Sequence, residues 1–179
     1  MNLSRSILCA IALCAAAGTT TAQTTVSVSG RITATPCTIS TSPVNMGKVP
    51  FNDIVNNGGI SPQKYEKDVS IRFEGCRLSS LNSASLSFSG PMSNNRPFIL
   101  ALTGGTGAAE GFGIRLVTSD VVHAPTQRLV DFTASTQYPI DVTSNQATFA
   151  FRASYVVSGS PAAKPGVANA TATVTVTYT

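Results

Sequence analysis

The amino-acid sequence predicts an all-β protein built as an antiparallel sandwich, and three observations carry that prediction. Only 11% of the 179 residues are charged, well below the roughly 25% of an average soluble domain, and Ser and Thr fill the polar positions instead. Apolar and polar residues alternate with a period of two in one run after another, whereas helical periodicity does not recur. Turn chemistry separates the runs, at Asn56-Asn57-Gly58-Gly59, Gly90-Pro91, Asn94-Asn95, Gly104-Gly105 and Ser158-Gly159-Ser160-Pro161. Many short, half-buried strands at this spacing pack best as two antiparallel sheets.

The first element is not part of the sandwich. A short positive region ending at Arg5, an apolar run from Ile7 to Ala17 and a small-residue exit from Gly18 to Ala22 make a secretory signal peptide, residues 1–22, with cleavage after Ala22. The apolar run is shorter than the roughly 20 residues a membrane-spanning helix needs, so an exported chain with no membrane insertion is expected. Cys9 and Cys14 leave with the signal, and Cys37 and Cys76 remain. An even pair in an exported chain is read as one disulfide. Two thiolates and the lone His123 do not complete a tetrahedral zinc site.

Next comes a strand-like segment, residues 23–34. Val26, Val28, Ile32 and Ala34 alternate with Ser27, Ser29, Arg31 and Thr33, and Gly30 stands on the apolar row where a side chain is expected. Taken alone, this segment is an ordinary first strand of a complete sandwich. Further strands follow: Val69, Ile71 and Phe73 leading into Gly75 and Cys76, then Ala84, Leu86 and Phe88 among serines, then Phe98 to Leu102 and Phe112 to Val117. The clearest internal strand runs from Thr148 to Val157, with Phe149, Phe151, Ala153, Tyr155 and Val157 on one face.

The last residues carry the most unusual pattern. Ala170, Ala172, Val174, Val176 and Tyr178 alternate with threonines up to Thr179. A flat Thr/Val strand at a sheet edge invites pairing, and no Lys, Pro or bulge guards it. With a spare strand at one end and an unguarded edge at the other, the chain suits head-to-tail pairing with similar copies, which does not close and makes a filament.

Enzyme classes fit poorly. The glycine stretch Gly104 to Gly107 lacks the Lys-Ser/Thr pair of a phosphate loop and reads as a turn. His123 has Asp120 and Asp131 near it in sequence but no nucleophile elbow supports a triad. The formal charge of +4 is scattered along the chain, which argues against a nucleic-acid surface. No catalytic residue, metal ligand or cofactor is assigned.

Taken together, Val26 to Ile32, the Pro36-Cys37-Thr38-Ile39 strand start, Phe73 to Cys76, Phe112 to Leu116, Phe151 to Tyr155, the penultimate Tyr178 and Gly166 fourteenth from the end resemble the subunits of chaperone–usher fimbriae, the type 1-like pilins. That resemblance implies an incomplete immunoglobulin-like sandwich, residues 35–179, lacking its last strand and completed by a donor strand. It implies that Val174, Val176, Tyr178 and Gly166 belong to the groove taken by a periplasmic chaperone and later by a neighbouring pilin subunit. It implies too that Val26, Val28, Gly30 and Ile32 form the donor strand, residues 23–34, and that an outer-membrane usher passes the subunit to a cell-surface fimbrium. The competing readings are a freestanding secreted binding module with a complete sandwich and a one-domain tip adaptor.

Overall fold

The computed structural model describes residues 29, 37–75, 77–120, 127–143, 147–159 and 161–178. The chain divides into two units, Met1–Ile32 and Thr33–Thr179, and the second carries the fold. Its described residues form eight strands: β1 (Thr38–Thr41), β2 (Lys67–Glu74), β3 (Ala84–Ser89), β4 (Leu100–Ala101), β5 (Phe112–Thr118), β6 (Tyr138–Ile140), β7 (Thr148–Val157) and β8 (Thr173–Tyr178). One short α-helix, α1 (Phe51–Asn56), lies between β1 and β2, followed there by a 3-10 turn at Gln63–Tyr65. Among the described residues no helix is long and apolar enough to cross a membrane.

The strands make two antiparallel sheets, one of five in the order β1-β2-β7-β5-β4 and one of three in the order β6-β3-β8. The period-two pattern sets which face each strand turns inward. Ile71 and Phe73 of β2, Phe149, Phe151 and Ala153 of β7, and Ala84, Leu86 and Phe88 of β3 are all buried. The sheets meet through aromatic rings: Phe88 of the smaller sheet stands edge-on to Phe151 of the larger, with centroids 5.0 Å apart, and edge-on to Tyr138, 5.7 Å away. Such edge-to-face contacts add to the area buried, because the positive ring edge meets the negative ring face. The predicted strand from Thr148 to Val157 is β7, paired on both sides.

Three features depart from the sequence reading. The strand expected over Phe98 to Leu102 shrinks to Leu100–Ala101, because residues 92–99 fold into a turn closed by the Ser93 N–H to the Ile99 carbonyl at 2.9 Å. Asn94 and Asn95 take positive φ of 53° and 54° there, a conformation asparagine tolerates better than most residues. The three-residue β6 contains Pro139 and has no strand-like run in sequence. Helix α1 buries only Ile54, while Asp53 on it accepts a hydrogen bond from the Tyr65 hydroxyl at 2.6 Å.

Candidate functional site

β8 is the strand to build from. Its alternation of Thr with Val and Tyr turns Val174, Val176 and Tyr178 toward the core, and its register with β3 runs from Ala84 opposite Tyr178 to Ser89 opposite Thr173. Its other side pairs with no strand among the described residues. The inward row continues back through Ala172, Ala170 and Ala168, and all six residues pack against the core yet none is buried. In a complete sandwich that row would be covered from both sides; among the described residues a strand, β3, flanks it on one side.

Across the gap lies the edge of the other sheet. β1 pairs with β2 on one side only, and residues 42–50 continue from it without forming a strand. At one end the gap is narrow: the Tyr178 hydroxyl donates to the Cys37 carbonyl at 3.4 Å. At the other it widens into a cavity of about 580 Å³ between residues 44–49 and 165–170. Phe51, Ile54, Phe112, Ile114 and Tyr155 also line this cavity, and among the described residues Lys48 is the one lining residue with a charged side chain. The Tyr155 hydroxyl, its pKa pushed up by burial, donates to the Ala168 carbonyl at 3.3 Å. An open edge of unpaired N–H and C=O groups beside an apolar row accepts an extended strand.

The edge is selective as well as open. β6, β4 and β1 are three, two and four residues long, and β6 carries Pro139, which are common ways of blunting an edge. β8 has six residues and no such guard.

Of the residues expected to line a groove, Val174, Val176 and Tyr178 stand on its wall and Gly166 lines the cavity. Gly166 is there for lack of room: a Cβ on it would lie 2.5 Å from the Ala108 carbonyl carbon and 2.5 Å from the Ala109 nitrogen, closer than side-chain atoms sit. Cys37 is buried and disulfide-bonded. β1 starts one residue after it, and β2, which pairs Glu74 with Thr38, ends two residues before Cys76. Cys76 itself, Val26, Val28, Gly30, Ile32 and His123 lie outside the described residues.

Sequence reading missed the second wall. Met46 is buried and Val44 and Val49 half-buried there, and the only sequence signal was the two-residue alternation of Val44 and Met46 about Asn45. It also missed what Asp131 does. This buried carboxylate accepts hydrogen bonds from the Thr133 N–H (2.8 Å) and hydroxyl (2.7 Å), the Ser135 hydroxyl (2.9 Å) and the Thr136 hydroxyl (2.8 Å). Burial raises its pKa, but the bonds from Thr133, Thr136 and Ser135 outweigh that and hold it at about 2. The Asp131 N–H donates to the Tyr138 hydroxyl, which donates onward to the Leu129 carbonyl. Asp131 is thus the knot of the turn that leads into β6, with its oxygens already engaged.

Comparison with known proteins agrees with this geometry. A family model described as fimbrial protein matches residues 16–179. The chain is similar in structure to the P pilus rod subunit PapA, with 20% identity over 88% of this chain and 100% of that one at a TM-score of 0.63. It is similar to a chain in the structure of a chaperone–usher pilus at 20% identity, covering 88% and 96% of the two chains with a TM-score of 0.54. It is also similar to the P pilus adaptor subunit PapF at 18% identity, covering 82% and 98% with a TM-score of 0.52. At these identities the likeness speaks for the fold. No curated protein matches the chain.

Proposed function

Because the chain belongs to the fimbrial protein family, we propose that it is a pilin, a structural subunit of an adhesive fimbria that polymerises by exchange of donor strands. It is not an enzyme. The observation that carries the mechanism is the groove beside β8, where a long, unguarded edge and a half-covered apolar row stand open.

A strand laid along β8 would take up its free N–H and C=O groups and cover Val174, Val176 and Tyr178. Fully burying a Val is worth about 1.5–3 kcal/mol, so covering several half-exposed residues together makes a long-lived joint. A periplasmic chaperone is the first occupant, and the N-terminal segment of a neighbouring subunit, delivered at the outer-membrane usher, the second. In this chain that segment is residues 23–34, between a signal peptide of residues 1–22 and a sandwich of residues 35–179. Val26, Val28 and Ile32 supply the apolar contacts and Gly30 lets the donor backbone come close. The disulfide of Cys37, with Cys76 as its partner, ties the start of β1 to the end of β2 beside the groove. The finished protein stands in the cell-surface fimbrium and transmits load to whatever the filament presents.

The test moves residues 23–34 to follow Thr179 through a flexible linker and compares thermal unfolding with that of the unrearranged mature chain. Filling the groove in this way should yield a monomer melting on the order of 10–20 °C higher. A native chain that is already a stable monomer, and that the rearrangement damages, would indicate a complete sandwich and a freestanding binding module.

A further inference from the structure

The cavity wall at residues 165–170 consists largely of small residues, Pro165, Gly166, Ala168 and Ala170 among them, and only Ala168 and Ala170 are half-buried while the rest are exposed. Such a stretch contributes little packing of its own to hold its shape. What holds it is the loop at residues 103–110. The Ala109 N–H donates to the Val167 carbonyl and the Val167 N–H to the Gly107 carbonyl, both at 2.8 Å. Glu110 and Lys164 exchange both backbone hydrogen bonds, at 3.1 and 2.9 Å, and the Thr103 N–H reaches the Asn169 carbonyl at 2.7 Å. The Lys164 ammonium stands 2.9 Å from the Glu110 carboxylate. Gly166 lies against the backbone of 107–109 at a distance that only a missing side chain permits. Gly105 and Gly107 take positive φ of 153° and 74° in this loop, a backbone shape that glycine adopts without strain.

We propose that the 103–110 loop is a bracket that holds the cavity wall in its receiving shape before any strand arrives, with Gly166, Glu110 and Lys164 as its positioning residues. This rests on the strand-acceptor reading above. A wall already in place spares an incoming strand the cost of ordering it, so the bracket governs how fast a strand is captured. Once a strand lies in the groove, its ladder bonds and buried side chains hold the wall from the other side, and the bracket matters less for how long the joint lasts.

The test mixes the oxidised mature chain with a fluorescent peptide of residues 23–34, following uptake by anisotropy and release by chase with unlabelled peptide. Gly166→Ala should slow uptake about tenfold or more while release changes less than about threefold. Glu110→Gln, which leaves the close backbone contact intact and stands in if Gly166→Ala fails to fold, should slow uptake about twofold to threefold, as expected for a solvent-exposed ion pair. The charge exchange E110K/K164E should restore the wild-type rate. Unchanged uptake in both variants, or a change confined to release, overturns the bracket while leaving the acceptor groove standing. A wild-type chain that takes up no peptide overturns the groove itself, and the bracket with it.

Discussion

β6 and β8 flank the same strand, β3, on opposite sides of the three-stranded sheet. Both turn alternate residues inward, yet Tyr138 and Ile140 of β6 are 0% and 5% exposed, whereas Val174, Val176 and Tyr178 of β8 all remain half-exposed. β6 is short, contains Pro139 and is approached through a turn tied down by Asp131; β8 is twice as long and pairs with no strand on its free side among the described residues. Alternation decides which face a strand shows the core. Whether that face is covered depends on what lies beside the strand, and among the described residues the row of β8 is the one left half-exposed on this sheet's two edges.

The largest effect should come from the closed edge. Tyr138→Ala removes a fully buried ring that stands edge-on to Phe88, and it strips the Asp131 N–H and the Leu129 carbonyl of their partner. A loss of about 3–5 kcal/mol is expected in denaturant unfolding, and the same loss whether or not a donor strand is supplied. A loss that shrank on donor binding would mean that β6 also borders the groove, and the contrast between the edges would fail.

Acid should act on the same edge, more weakly. The Asp131 carboxyl has a folded pKa of about 2 against an ordinary 3.8, so its stabilisation is present above about pH 4 and is lost as the pH falls toward 2. Roughly 2.5 kcal/mol is the ceiling for such a shift. Asp131→Asn should flatten this part of the stability–pH curve; a slope unchanged in the variant would assign the acid sensitivity to another carboxylate.

How far the sequence could be read follows the same division. β2, β3, β7 and β8 are strands of six to ten residues, long enough for alternation to be visible, and the open edge was legible in the Thr/Val row of β8 itself. β6 is three residues long, and its burial comes from Tyr138 reaching back to Leu129 and Asp131, which no local pattern announces. The second wall fails for a related reason. Residues 44–49 make no strand, and Phe51 enters the cavity from a six-residue helix, edge-on to Phe112 at 5.8 Å. The glycines of the 104–107 stretch were legible as a turn, but their docking onto residues 164–167 depends on a contact between distant segments. Asp131 was visible only as an acid near His123, because its donors matter through the geometry of the turn and not through their spacing alone.

The smallest effect in the free subunit is the most telling. Val176 lies opposite Leu86 of β3 and is half-exposed, so Val176→Ala should cost about 1 kcal/mol or less in the chain with an empty groove. When residues 23–34 are supplied through a linker after Thr179, the same valine is covered on its open side. The substitution then loses the full burial of its methyl groups and leaves a small void, for a cost of about 2 kcal/mol. A cost that grows on completion cannot arise from β8 as an ordinary edge strand, whose contacts would be the same in both chains. Equal costs in the two chains would mean that the added strand lies elsewhere, and β8 would then differ from β6 only in length.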